Sequence, residues 1–514
     1  MNGLPLLSLI VFTPCIGAVL LAVLRRASPS ASRAISLAFS LSTLVFTSAA
    51  WTGFQPLLGL QFIERHPWIR ALNVHYHLGM DGMSLVLVLL TAILTPAALL
   101  ASWRIDRSPR LFGALFLTLQ SAALGVFLAV DFFHWFVFWE LSLIPAFFLI
   151  KFWGGAGATR AAYQFVIYTI GGSAFMLLGF AALFATTGTM DFAELAQLAH
   201  SGELGRKLAA VGGWWPHAVF LGVFLGLAVK VPLWPFHTWL PSAYSEAPTG
   251  ASMFLTGIMS KMGMYGFLRI LWPIFPAELH AAAPCLVWLA LAGVVLGAFA
   301  ALRQTDLKRM IAYSSVNHLS YCLLALFAVA AAAGRPGLTP EAATAAFSGT
   351  LFQMFNHGIS AAALFFCIGV LESRSGGRRG LNDFGGVRSA APIFAGLAGI
   401  AMFSSLGLPG LNGFVGEFLI FRGVFGLEPW AAGVACLGLL ATAMFLLTFW
   451  QRVFHGPRAG VVATSGGFRD VDSMERAVLV PLVALMFLLG VVPQLLAGLF
   501  NPLVAHWAQT LIAP

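Results

Sequence analysis

The sequence predicts an all-α, polytopic membrane protein of about fourteen transmembrane helices, arranged as two inverted repeats that each contain one broken helix. Three observations predict it: too few charges for a soluble surface, apolar runs of spanning length, and basic residues that collect in every second loop. Of 514 residues, 59% are hydrophobic and 9% are charged. Soluble domains average about 25% charged residues, and those side chains stay mostly at the surface. A chain this long with so few charges cannot cover itself against water, whereas a bilayer removes the requirement.

A spanning helix needs roughly 20 apolar residues. Apolar runs fall at 4–24, 34–52, 81–101, 111–130, 134–150, 162–185, 217–238, 249–272, 282–302, 309–331, 343–371, 392–423, 430–450 and 477–500. The first run precedes Arg25 and Arg26, the reverse of a secretory leader, so it reads as a span. The longest loop, 186–216, contains Asp191-Phe192-Ala193-Glu194-Leu195 and is expected to hold a short surface helix. Odd-numbered loops and the helix ends beside them carry 19 of the 28 lysines and arginines, from Arg25, Arg26 and Arg33 in the first to Arg452, Arg458, Arg469 and Arg476 in the last. Seven fall on the even side, and Lys230 and Lys261 lie within spans. By the positive-inside rule the odd loops are cytoplasmic and both termini lie outside. The formal charge of +9 is accounted for by this bias and calls for no nucleic acid.

Two spans are interrupted. The seventh contains Lys230-Val231-Pro232-Leu233-Trp234-Pro235 and the twelfth Leu408-Pro409-Gly410-Leu411-Asn412-Gly413. Proline removes a backbone donor and clashes with the preceding turn. Backbone freed at membrane depth must line a cavity or find a protein partner. The breaks are five spans apart, so they run in opposite directions through the membrane, the pattern of inverted repeats built around an ion site. The expected division is 1–110 for the N-terminal helices, 111–272 for the first repeat, 282–453 for the second, and 454–514 for the C-terminal loop and last span.

An ionisable group at bilayer depth costs at least ~2.5 kcal/mol, so it is kept where function needs it. Glu140, Lys230, Lys261 and Glu417 sit mid-span. Burial favours neutral lysine and a nearby carboxylate favours the charged form, so Lys230 with Glu140 makes a workable proton switch. The rival reading is a static ion pair. Histidine titrates near neutrality and relays protons; His318 and His357 fall in spans ten and eleven, beside Lys261 in span eight and Glu417 in span twelve. For a single histidine a core hydrogen bond is the commoner reading, and haem ligation competes. His237, Glu246, Asp81, Asp306 and Lys308 lie near span ends, where a solvated end or cap is expected. The five cysteines are scattered, with no C-x-x-C, and read as small apolar fillers. No G-x-G-x-x-G and no P-loop occurs, so nucleotide binding by those routes is not indicated.

The motifs Asp81-Gly82-Met83-Ser84-Leu85, Phe138-Trp139-Glu140-Leu141-Ser142, Lys230-Val231-Pro232-Leu233-Trp234-Pro235-Phe236-His237, Glu246-Ala247-Pro248-Thr249, Ala312-Tyr313-Ser314-Ser315-Val316-Asn317-His318 and Leu408-Pro409-Gly410-Leu411-Asn412-Gly413-Phe414 through Phe418 carry a resemblance. The chain resembles, end to end, the antiporter-like membrane subunits of respiratory complex I, the NADH–quinone oxidoreductase, and among them the M type, counterpart of mitochondrial subunit 4. The resemblance implies proton translocation by Glu140, Lys230, Lys261, His318, His357 and Glu417. It implies that NAD, FMN, Fe–S clusters and quinone belong to other subunits, with no cofactor or metal in this chain. It further implies flanking subunits of the L and N types as partners and a multi-pass place in the bacterial inner membrane. Glu417 points to the M type, since L and N types carry lysine there. Ser320 departs from the glycine common in relatives. The alternatives are a subunit of a multisubunit sodium/proton antiporter, or the equivalent chain of a photosynthetic-type, ferredoxin-linked or hydrogenase-type complex.

Overall fold

In the computed structural model, which describes residues 4–335, 338–464 and 468–510, helix occupies every one of the fourteen predicted runs. Among the described residues eleven helices are long and apolar enough to cross a membrane, or twelve if the bent pair Glu203–Val211 and Trp215–Lys230 is one span. Unbroken helices therefore do not reach the expected fourteen. The shortfall falls on the seventh, eighth and twelfth runs. The seventh is Trp215–Lys230, a break, and Trp239–Glu246. The twelfth is Pro392–Ser405, a break, and Asn412–Leu427. The eighth runs from Thr249–Phe254 to Trp272–Ile274 through two π-helical turns, Leu255–Met259 and Phe267–Leu271. Such turns loosen the regular backbone ladder and gather at functional sites.

The centre of the bundle is built from the tenth and eleventh spans. The most apolar stretch of Leu307–Ala332 is wholly buried and that of Pro340–Arg374 is 94% buried, against 28% for Pro29–Gly53 at the periphery. The two central helices carry His318 and His357, so these rings face protein on every side. Spans eight and eleven cross where both have glycine: a Cβ on Gly358 would stand 2.9 Å from the Gly257 carbonyl oxygen. That close approach brings Lys261 and His357 onto one level.

Other features were not legible beforehand. The second loop folds as a hairpin, Gln61–Ile69 with Val74–Met80. Glu64 ties it to the first span by accepting from the Leu7 amide at 2.8 Å. His77 Nδ1 lies 2.9 Å from Asp191 Oδ2, which caps the surface helix Phe192–His200 expected in the long loop. Burial pushes the Asp131 carboxyl above its ordinary range, against the backbone N–H groups of His134, His75 and Phe133. The last run ends earlier than expected. Ser473–Val491 is the span, and a separate helix, Gln494–Thr510, packs Phe500 and Trp507 against the eleventh. Asp81 and Asp306 do cap helices, accepting from Ser84 and Arg309 amides, but Asp81 also pairs with Arg269 at 2.6 Å.

The basic loops set the orientation. Arg378→Cys, at an exposed position of the eleventh loop, is expected to react with a membrane-impermeant thiol reagent only from the cytoplasmic side. Labelling in intact cells from outside would reverse the topology.

A line of buried ionisable side chains

Five of the six predicted site residues are buried: Lys261 is 0% exposed, Lys230 2%, His318 3%, and His357 and Glu417 6% each. Four of them form one line. Lys261 Nζ lies 2.8 Å from His357 Nδ1, and the His357 and His318 ring centres are 5.3 Å apart. His318 Nδ1 lies 3.0 Å from Glu417 Oε1. The line thus crosses from the eighth span through the eleventh and tenth to the second half of the broken twelfth.

Each member is held by local structure. Lys261 folds back over the π-helical turn Leu255–Met259, donating to the Thr256 carbonyl at 2.5 Å and to Ser260 Oγ at 3.3 Å. While the ammonium donates to His357, that ring must accept at Nδ1 and carry its proton on Nε2; passing the proton over exchanges the roles. Glu417 reaches its place through the second break. Gly407 and Gly410 have φ of +77° and +91°, where a side chain would be strained, and a Cβ on Gly407 would stand 2.7 Å from Glu417 Oε2. The glycine makes room for the carboxylate. The break is pinned by Asn412, whose backbone carbonyl accepts from Asn356 Nδ2 at 2.6 Å and whose side-chain oxygen accepts from Ser404 Oγ at 2.6 Å.

Gln353 was not anticipated. Its Nε2 lies 3.3 Å from His318 Nδ1 and 3.5 Å from Glu417 Oε1. It stands one turn from His357 on the same helix face, which spacing alone would have revealed. His318 Nε2 is buried with no hydrogen-bond partner among the described residues. A buried ring nitrogen left open is where water or a moving proton fits.

Glu140 and Lys230 are arranged differently from the expected pair. No ion pair joins Glu140 to Lys230 among the described residues. Lys230 Nζ donates instead to Ser142 Oγ at 3.3 Å and lies 4.9 Å over the Trp139 ring. Glu140 Oε1 is buried and has no hydrogen-bond partner among the described residues. Lys230 ends its helix at the first break, where Trp239 Nε1 donates to the Val229 carbonyl at 2.9 Å. No hydrogen bond links Lys230 to Lys261 among the described residues, so two groups of ionisable side chains stand apart, the first a separated pair and the second a line of four.

Such a constellation at membrane depth defines an ion-translocating integral membrane protein. The chain belongs to the NADH:quinone oxidoreductase/Mrp antiporter transmembrane family, whose model matches residues 129–444. The model for the amino terminus of NADH-ubiquinone oxidoreductase chain 4 matches residues 29–130. The chain is 36% identical to NADH-quinone oxidoreductase subunit M of Rhodobacter capsulatus, across 98% of this chain and 96% of the relative. It is also 36% identical to F(420)H(2) dehydrogenase subunit M of Methanosarcina mazei, across 96% and 95%. A chain of respiratory complex I from Thermus thermophilus with bound NADH superposes with a TM-score of 0.84 at 29% identity, covering 99% of this chain and 100% of that one.

Adding a methyl group where the helices cross tests the geometry. Gly358→Ala is expected to destabilise the packing by about 1–3 kcal/mol and to lower the amount of assembled protein in detergent-extracted membranes. Gly407→Ala is expected to assemble better than that but to lose proton transport, because it displaces Glu417. Transport at the wild-type rate would show that the carboxylate does not need that space.

Proposed function

We propose that the chain is the M-type, proton-translocating membrane subunit of an NADH–quinone oxidoreductase, coupling electron transfer in other subunits to proton movement across the cell membrane. The carrying observation is the line Lys261–His357–His318–Glu417, with polar contacts at both ends and the two rings 5.3 Å apart between them, at the centre of a chain similar end to end to subunit M. The chain is a module of a translocase and has no redox centre of its own in this reading; NAD, FMN, Fe–S clusters and quinone act in partner subunits.

Lys261, His357, His318 and Glu417 carry the proton in that order or its reverse, and Glu140 with Lys230 forms the switch that admits or rejects it. The separation of Glu140 from Lys230 supports the switch. A lysine without its carboxylate at close range is discharged by burial, and restoring the carboxylate recharges it. The first repeat, 111–272, contributes one broken helix with Glu140, Lys230 and Lys261, and the second, 282–453, contributes the other with His318, His357 and Glu417.

Subunits of the L and N types flank the chain. Support comes from the breaks themselves. Leu408 is 46% exposed, and Pro409, Gly410, Pro235 and Thr238 are exposed as well. Irregular backbone at bilayer depth cannot face lipid, so protein covers both places.

A second reading concerns the electron donor. The equal identity to a subunit of F(420)H(2) dehydrogenase admits a donor other than NADH. The purified complex decides: quinone reduction with NADH supports the first reading, and failure with NADH but turnover with reduced F(420) supports the second.

Two substitutions test the switch in membrane vesicles, normalised to assembled complex. Glu140→Ala is expected to lower pumping-linked quinone reduction by about 10²-fold with assembly intact; a wild-type rate would reject its role. Arginine keeps the charge but does not deprotonate in a protein. Lys230→Arg is therefore expected to fail nearly as badly as Lys230→Ala, and near-normal pumping would leave a static cation as the better account.

A further inference from the structure

We infer that the chain binds one zwitterionic aminophospholipid in a groove between the eleventh span, the second half of the twelfth and the C-terminal helix, with the phosphate on Arg422, the ammonium on Glu341 and an acyl chain laid along Phe352, Phe414 and Phe418.

The groove lies at the end of the bundle away from the basic loops, the outer end by the positive-inside rule. It encloses about 590 Å³. Glu341, Ser348 and Phe352 line it from Pro340–Arg374, and Phe414, Phe418 and Arg422 line it from Asn412–Leu427, each set at the spacing of one helix face. Gln494 and Asn501 of Gln494–Thr510 form a third wall. Glu417 of the same twelfth-span helix is turned to the other side, where it meets His318, so the groove stands apart from the proton line. The two main walls are locked together. A Cβ on Gly349 would stand 2.5 Å from the Ile420 amide nitrogen, and one on Gly423 would stand 2.5 Å from that of Ala346. The groove therefore runs beside a tight seam and is formed before anything fills it.

Its polarity is graded along its length. Glu341 is the second residue of its helix, and Arg422 lies near the outer end of its own. The deep end is aromatic: Phe414 stacks on Phe418 with ring centres 5.3 Å apart, and Phe352 packs edge-on against Phe500. Phe418 is 52% exposed. From Glu341 to Phe352 the helix rises roughly 16 Å at about 1.5 Å per residue. That is one leaflet of a hydrocarbon core about 30 Å thick. A charged rim one leaflet above an aromatic floor matches the profile of a phospholipid.

The rim charges are open. Other charges of the chain find partners: at the opposite end of the bundle Lys308 Nζ pairs with Glu372 Oε2 at 2.6 Å, and Arg379 pairs with Glu246 Oε1 at 2.7 Å and Asp306 Oδ2 at 2.6 Å. At the outer end Arg335 pairs with Glu428 Oε1 at 2.6 Å. Among the described residues no ion pair or hydrogen bond engages the side chains of Glu341, Arg422, Gln494 or Asn501. A phosphate takes two parallel bonds from a guanidinium, and a primary ammonium offers three donors to a carboxylate. One cation beside one anion makes a neutral site, which fits a zwitterion; an anionic head group would set like charge against Glu341. A quaternary choline head group has no N–H to donate. Hydrocarbon is as well solvated in the bilayer as in the groove, so the head group carries the selectivity and the floor accommodates the chain.

The assembled complex, reconstituted in phosphatidylcholine vesicles with a trace of phosphatidylethanolamine bearing a diazirine in one acyl chain, is irradiated and its cross-linked peptides are mapped by mass. Labelling of this chain is expected to concentrate on residues 344–352 and 414–422. Excess unlabelled phosphatidylethanolamine should remove it, and the same excess of phosphatidylglycerol should not. Arg422→Gln and Glu341→Gln should each lower it about tenfold, the loss of one charge-assisted contact, and Arg422→Lys should retain most of it. Labelling spread evenly over the exposed spans, equal competition by phosphatidylglycerol, or undiminished labelling in both glutamine variants overturns the inference. So does cross-linking of a photoreactive group at Phe418→Cys to a neighbouring chain, which would show protein in the groove. The competition arms use the wild-type chain and decide the matter even where a substituted chain does not assemble.

Discussion

The arrangement depends on one cost: an ionisable side chain in the bilayer centre must be given either a partner or water. Lys261 meets it with the Thr256 carbonyl and the His357 ring, His318 with Glu417, and Lys230 with a hydroxyl and an indole face. None of these partners is a permanent counter-ion of Lys261 or Lys230. A charge held only by neutral dipoles is easily discharged, and a charge pair at 4 Å is worth about 4 kcal/mol at the effective dielectric of a partly polar site. Both lysines are thus held by hydroxyls, a carbonyl and rings, with no carboxylate at hydrogen-bond distance among the described residues.

The same constraint explains the backbone. His318 and His357 lie in uninterrupted helices, whereas the other buried ionisable residues of the site stand at irregularities. Lys230 ends a helix, Lys261 follows a π-helical turn, and Glu417 sits beyond a two-glycine break. The asparagine pair Asn356–Asn412 and the Ser360–Ser404 contact then hold the second break to the eleventh span. The tightly packed tenth and eleventh helices carry His318 and His357, and the irregular seventh, eighth and twelfth spans carry Lys230, Lys261 and Glu417 around them.

Much of this was legible because charge in an apolar run is conspicuous. Lys261, Glu417 and both breaks stand out against their neighbours, and the family motifs fix which residues matter. Gln353 escaped because an uncharged amide is not conspicuous, although it shares a face with His357. The hairpin at Gln61–Met80 escaped because Glu64-Arg65-His66-Pro67 gives no alternation of apolar and polar residues. Glu246, Asp306 and Lys308 read as solvated ends because their network is assembled from elements more than fifty residues apart. The distance between Glu140 and Lys230 depends on side-chain rotamers across two helices, which no sequence pattern encodes.

The uncovered break at Leu408–Gly410 also bears on how the protein is made. A freshly inserted chain would present the exposed residues of that break, and Pro235 and Thr238 at the other, to lipid until neighbours arrive. The solitary chain is then the costly species, prone to capture by quality-control proteases. The cellular supply of this subunit would accordingly follow the synthesis of its neighbours, so that the long membrane arm grows by mutual shelter of its members and surplus copies are cleared.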